Sequence, residues 1–210
     1  MNRFNGFIAA TLMTLSATAN ASTVIPTLEI DFRTSDWSGA FWQNSYSYDG
    51  VTISALPTSK NIYQDSMDGI GVLSGEYDEI NPGEMMDITF DYANSWASAV
   101  TGLWITDLFP APDGGIRGEE GLVSLTLSDG SVIDYSFFGE NSDPTSTNGE
   151  QFISFGSALK VVKANFKTNG VAGNEFSIAG FSAIPEASSL GLLAMGLLAI
   201  GGFANRRKKV

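Results

Sequence analysis

An all-β fold, a single antiparallel jelly-roll-like β-sandwich, is what this sequence predicts, and three observations predict it. Apolar and polar residues alternate with period two along short segments; Gly, Asn, Asp and Pro punctuate them at short intervals; and no segment between 22 and 183 sustains an amphipathic helical period. In "TLEIDFR", Leu28, Ile30 and Phe32 face one way and Glu29, Asp31 and Arg33 the other. "DITFDY" repeats this with Ile88, Phe90 and Tyr92 against Asp87, Thr89 and Asp91. A strand with one face on a core and one in water reads in this way, and two such layers make a sandwich.

Further strands are expected at 45–55, 69–74, 97–108, 121–128, 131–138, 151–156, 159–168 and 174–183. The segment "ASAVTGLWITDL", 97–108, is apolar on both faces and is expected to be central. In "GLVSLTLSDGSVIDYSFF" a two-residue Asp129-Gly130 loop would pair Leu125 with Asp134. A three-residue loop, 128–130, instead pairs Leu125 with Ile133 and Val123 with Tyr135 and puts Gly130 at the left-handed position. The segment 140–150, "ENSDPTSTNGE", reads as a polar loop.

Charge separates the body from its ends. Residues 22–184 hold 22 acidic and 6 basic side chains, a net −16, whereas Arg206, Arg207, Lys208 and Lys209 crowd the last five positions. A body this negative repels nucleic acid phosphates and anionic headgroups, so no nucleic acid partner is expected. The sequence has no Cys and no His, which excludes disulfides, thiolate sites, cysteine nucleophiles and the usual general base.

Three parts result. Residues 1–21 read as a signal peptide: Arg3 precedes an apolar run from Phe7 to Leu15, and Ala19 and Ala21 place cleavage before Ser22. Residues 22–183 are the extracellular sandwich. Residues 184–210 form a third segment, in which 188–204 carries no charge. Seventeen helical residues span roughly 26 Å, against a hydrocarbon core of about 30 Å, so this tail suits a temporary stop in the membrane. The four cations beyond it stay cytoplasmic under the positive-inside rule, leaving the body outside.

The tail resembles the PEP-CTERM sorting signal of Gram-negative bacteria. Pro185 and Glu186 match the first two motif positions, with Ala187 where a second Pro is usual; "SSLGLLAMGLLAIGGFA" matches the apolar helix and "NRRKK" the basic end. The resemblance implies an exosortase-type processing enzyme as partner. It also implies membrane anchoring through the C-terminal helix, then release to the cell surface or exopolysaccharide.

Two constellations could bind. Asp65, Asp68, Glu76, Asp78, Glu79 and Glu84 bring six carboxylates into 20 residues, so calcium is the one cofactor the composition admits, though none is required. Their spacing fits no EF-hand, and the same residues also read as a solvated acidic loop. In "DWSGAFWQNSYSY", Trp37 and Trp42 are candidates for stacking on sugar rings, and equally for filling the core. No residue set assumes the roles of a catalytic constellation, so an enzyme is not expected. A secreted, non-enzymatic protein of the envelope or exopolysaccharide is the expected function. The alternatives are a calcium-assisted carbohydrate-binding module and, behind it, a glycoside-acting enzyme.

Overall fold

The computed structural model describes residues 29–74, 79–93, 97–110, 118–139, 149–171 and 174–185. The signal segment with Ala19, Ala21 and Ser22, most of the polar loop at 140–150, and the tail from Glu186 through Lys209 lie outside the described residues. Among the described residues no helix is long and apolar enough to cross a membrane.

Among the described residues twelve strands occur in chain order. They are β1 (Ile30–Asp31), β2 (Ser45–Tyr48), β3 (Val51–Leu56), β4 (Asn61–Gln64), β5 (Ile70–Leu73) and β6 (Met85–Phe90), then β7 (Ala97–Thr106), β8 (Glu120–Leu127), β9 (Val132–Phe138), β10 (Gln151–Leu159), β11 (Val161–Thr168) and β12 (Ser177–Pro185). One 3-10 helix, Ser35–Ala40, lies between β1 and β2. The strands form two six-stranded sheets. One runs β10-β7-β12-β5-β4 with β1 also on β12, and the other runs β2-β3-β6-β11-β8-β9.

The pairing has a simple logic. β8 pairs with β9, β7 with β10, β6 with β11 and β5 with β12, all antiparallel. Residues 70–185 thus behave as one long hairpin whose successive rungs fall alternately in the two sheets, which is a jelly roll. β2, β3 and β4 extend its edges. As its apolar pattern predicts, β7 is central, between β10 and β12.

Alternation fixes what faces inward. Val51, Ile53 and Ala55 of β3 and Met86, Ile88 and Phe90 of β6 are buried, while Thr52, Ser54, Asp87 and Thr89 point away. A register shift between Val161 and Lys163 lets β11 bury both Val161 and Ala164, three positions apart. Phe181 of β12 ties the layers together: its ring lies 5.2 Å from Phe90 and 6.1 Å from Phe166 in the other sheet, and 6.2 Å from Phe32. Phe32, Phe166 and Phe181 are among the largest fully buried side chains of the described residues.

The hairpin from β8 to β9 has the register expected from its side chains. Leu125 pairs with Ile133 and Val123 with Tyr135, and Gly130 has φ +84°. Two expectations change. The segment 45–55 is not one strand but the hairpin β2–β3, turned by Asp49 and Gly50, whose φ values of 45° and 73° suit a two-residue Asp-Gly loop. The strand β4 was hidden in "NIYQ", where a single buried apolar residue, Ile62, gives no period to read.

Candidate functional site

Where β1, the 3-10 helix and the β2–β3 turn meet, a cleft of about 400 Å³ opens. Four carboxylates line it, Glu29, Asp31, Asp36 and Asp49, together with the rings of Trp37 and Tyr48. Backbone hydrogen bonds set this corner. Glu29 N–H donates to the Phe181 carbonyl and Phe32 N–H to that of Ala179, fastening β1 along β12. The helix then carries Trp37 back over Phe32, with ring centroids 4.7 Å apart and nearly perpendicular. Tyr48 meets the other side of Trp37 edge-on at 5.6 Å.

The cleft is anionic. Asp31 Oδ1 accepts from both Arg33 N–H and Arg33 Nε at 3.0 Å, and Arg33 Nη1 reaches Glu150 Oε1 at 3.5 Å. Burial alone would lower the Arg33 pKa, but its hydrogen bond and charge pairing with Asp31, and then Glu150, outweigh that and raise it. The charge of Asp36, and after it desolvation, raises the pKa of the Tyr48 hydroxyl. Such a site attracts hydroxyl donors and cations and repels anionic ligands.

The structure separates the two tryptophans. Trp37 is 3% exposed and belongs to the core, closing the cleft rather than offering a ring face to solvent. Trp42 is 60% exposed. Its backbone sits at φ +66°, a conformation a bulky residue adopts only when its surroundings impose it. Trp42 N–H donates to the Ile62 carbonyl at 3.0 Å and Ile62 N–H to that of Gln43 at 2.7 Å, which pins the turn against β4. Phe41, half-exposed, lies edge-on to Trp42 at 5.6 Å and to Tyr63 at 5.2 Å. The result is a fixed aromatic platform at the surface.

The acidic segment serves the fold. Asp65 Oδ1 accepts from the N–H groups of Met67 and Asp68 at 2.8 Å each, shaping the turn before β5. The Asp68 carbonyl accepts from Thr106 Oγ1, and the Glu79 carbonyl from Val72 N–H. Glu84 is buried: Lys60 Nζ lies 3.0 Å from Oε1, while Ser74 Oγ and Asn81 N–H donate to Oε2 at 3.1 Å. Glu76 and Asp78 lie outside the described residues. Among the described residues no three carboxylates gather as a bound cation would require.

Sequence reasoning missed Glu29, Asp31, Asp36, Tyr48 and Asp49 as a group. The one local signal was the Asp49-Gly50 turn, which places Tyr48 back beside Trp37 once 45–55 is read as a hairpin.

The described chain ends at β12, paired with β7 through Ala183↔Val100, Ile184↔Ala99 and Pro185↔Ala97. Residues 183–208 match the family model for the PEP-CTERM protein-sorting motif. No curated protein matches the chain. The crystal structure of a two-domain protein of unknown function from Bacteroides fragilis is similar over 66% of this chain and 44% of that one, at 13% identity and a TM-score of 0.39. This chain thus spans less than half the length of that protein. The chain thus carries a match to the PEP-CTERM protein-sorting motif at 183–208, and the first three residues of that motif form the end of β12.

Proposed function

We propose that the sandwich works outside the cytoplasm as a non-enzymatic component of the envelope or exopolysaccharide matrix, delivered there by its sorting motif. One observation carries the reading: β12, whose last residues open the motif, is hydrogen-bonded within its sheet to β7 on one side and to β5 and β1 on the other. Among the described residues the sandwich ends at Pro185, inside the motif, so losing the residues beyond it removes none of the described strands. Because β1 runs antiparallel to β12, the body begins at the same end at which it leaves off. The test compares the full chain with one ending at Pro185, by fractionating cells and medium. Full-length protein should pass through the membrane fraction to the surface or matrix, and the shortened chain should be found free in the periplasm or medium. Identical distributions would refute the reading.

A second reading, glycan contact, is favoured by the Trp42 platform. A ring held exposed by a backbone conformation that costs energy suits stacking on the apolar face of a sugar, and the cleft, which Trp42 does not line, offers carboxylate acceptors to hydroxyl donors. The tethering of Asp31 by Arg33 suits holding a ligand rather than turning one over. The anionic lining favours neutral or amino sugars over uronic acids. A glycan array run on residues 22–185 with and without calcium checks this and reports whether the carboxylates at 65–84 contribute. Retention on neutral or amino-sugar glycans that Trp42→Ala abolishes is expected; blanks throughout would remove the reading.

A further inference from the structure

We infer that β9 is a self-association edge, at which two copies of this chain join antiparallel about a two-fold axis through Tyr135 and merge the sheets that β9 borders. Neither the sorting reading nor the glycan reading is needed for it.

Each sheet ends in two edge strands, β10 and β4 in one and β2 and β9 in the other. An edge presents unpaired N–H and C=O groups, and folds that stay single blunt it by shortness, a bulge, charge or a covering segment. Three of the four described edges are blunted in this way. β10 is broken by a register shift between Ser154 and Leu159, with Gly156 at φ +72°. β4 has four residues and is capped: Trp42 N–H donates to the Ile62 carbonyl and Ile62 N–H to that of Gln43. β2 also has four residues. β9 instead runs seven residues, Val132–Phe138, against β8 without a shift, and its one charge is Asp134.

The ladder decides which groups of β9 are left over. Leu127 N–H donates to the Ser131 carbonyl and Gly139 N–H to the Glu119 carbonyl, so bonds to β8 fall on the odd-numbered residues of β9. Residues 132, 134, 136 and 138 turn their N–H and C=O groups to the open edge, and no described strand takes them. Their side chains lie on the solvent face, where Val132 is 59% and Phe138 51% exposed.

A second copy fits this edge in a register that its own side chains select. With Tyr135 on the axis, Val132 meets Phe138 of the second copy and Asp134 meets Ser136, and both pairs fall on residues whose backbone groups are open. On the inward face Ile133 meets Phe137. Moving the axis to Asp134 would set like charges opposite each other, and moving it to Ser136 would set Asp134 against Phe138. The axis at Tyr135 covers both exposed apolar side chains, separates the carboxylates and engages the whole strand. Such an interface is isologous and closes at two copies.

The test uses the absence of Cys from the chain. Full-length Asp134→Cys and Ser136→Cys chains, separately tagged, are co-expressed in native cells and run on non-reducing gels. A disulfide-linked dimer carrying both tags is expected, because a hydrogen-bonded pair holds its Cα atoms about 5.5 Å apart, within disulfide reach. Asp134→Cys alone should give little, since its two copies lie on the diagonal, about 7–8 Å apart. Absence of the mixed dimer, equal linking by Asp134→Cys alone, or linking only to another protein would each overturn the inference. Charge gives a second readout, by sedimentation of the detergent-solubilised full chain. Ser136→Asp sets carboxylates opposite each other on both sides of the axis and should weaken dimerisation by roughly tenfold, while Ser136→Lys should tighten it by a similar factor. Ser136 is exposed, so both variants keep the fold. Dissociation constants unchanged in both would overturn the inference.

Discussion

Trp37 and Trp42 stand five residues apart in one aromatic stretch, and the fold gives them opposite work. Trp37 closes over Phe32 at 3% exposure; Trp42 faces water at 60%. Neither composition nor spacing separates them. The difference lies in what each backbone meets. The 3-10 helix turns Trp37 onto β1, and the left-handed turn at Trp42, held by Ile62, rotates the next ring outward. A large aromatic is core when a strand is available to receive it, and it is surface when the backbone itself is strained to keep it there.

That contrast breaks first at Trp37. Trp37→Ala removes a buried ring that touches Phe32, Tyr46 and Tyr48, and should cost about 3–5 kcal/mol of stability in urea denaturation. Trp37→Phe should recover much of the loss, because an aromatic edge is kept against Phe32. If Trp37→Ala costs less than about 1 kcal/mol, the ring is a surface group and the two tryptophans are alike.

The same distinction between structural and displayed groups applies to the acidic segment. Glu84→Ala leaves Lys60 without its partner and strips an acceptor from Ser74 and Asn81, which should cost about 2–3 kcal/mol, reduced somewhat by the part exposure of Lys60. Glu84→Gln keeps an acceptor and should cost about half as much, which separates the hydrogen bonds from the charge. Equal losses for both variants would place all the effect in the ion pair.

Two tyrosines extend the comparison to titration. Burial pushes the Tyr92 hydroxyl up to about 12, while Tyr48 is raised at the surface, chiefly by the charge of Asp36. The folded protein keeps the Tyr92 proton to about 12, whereas an unfolded chain releases it near 10.0. The contribution is therefore fully present below pH 10 and is lost as pH rises from about 10 to 12. Allowing for its part exposure, it amounts to about 1–2 kcal/mol. In Tyr92→Phe the alkaline fall in stability should be shallower by that amount, measured by urea denaturation at pH 9 and 12. Added salt should shrink the shift of Tyr48 and leave that of Tyr92 nearly unchanged, since screening acts on exposed charge.

How far the sequence could be read depends on the range of each signal. Alternation is local, so β6, β8 and the register at Leu125↔Ile133 were legible from their own residues. β4 was not, because Ile62 is buried by neighbours the chain reaches only through folding. The cleft was illegible for the same reason: Glu29, Asp36 and Asp49 belong to three elements that meet only when β1 lies along β12. The partners of the acidic segment were illegible too, since Asp65 takes backbone donors and Glu84 a lysine that sequence proximity does not name. The sorting motif was legible because it is a linear string read from its own residues.

The smallest effect sharpens the comparison most. At φ +66° an alanine keeps the steric cost of the left-handed backbone and a glycine escapes it, so Trp42→Gly should be more stable than Trp42→Ala by about 1 kcal/mol. Both variants lose the ring contact with Phe41, so the difference between them isolates the backbone. Thermal melts of the pair read it directly. Equal stabilities would mean that the turn at Trp42 relaxes when the ring is gone, in which case the side chain imposes the conformation rather than the hydrogen bonds to Ile62 and Gln43. A glycine variant that is more stable yet no longer retained on glycan would show strain kept for the sake of display: the fold gives up a little stability to hold one indole in water, where Trp37, five residues earlier, is held out of it.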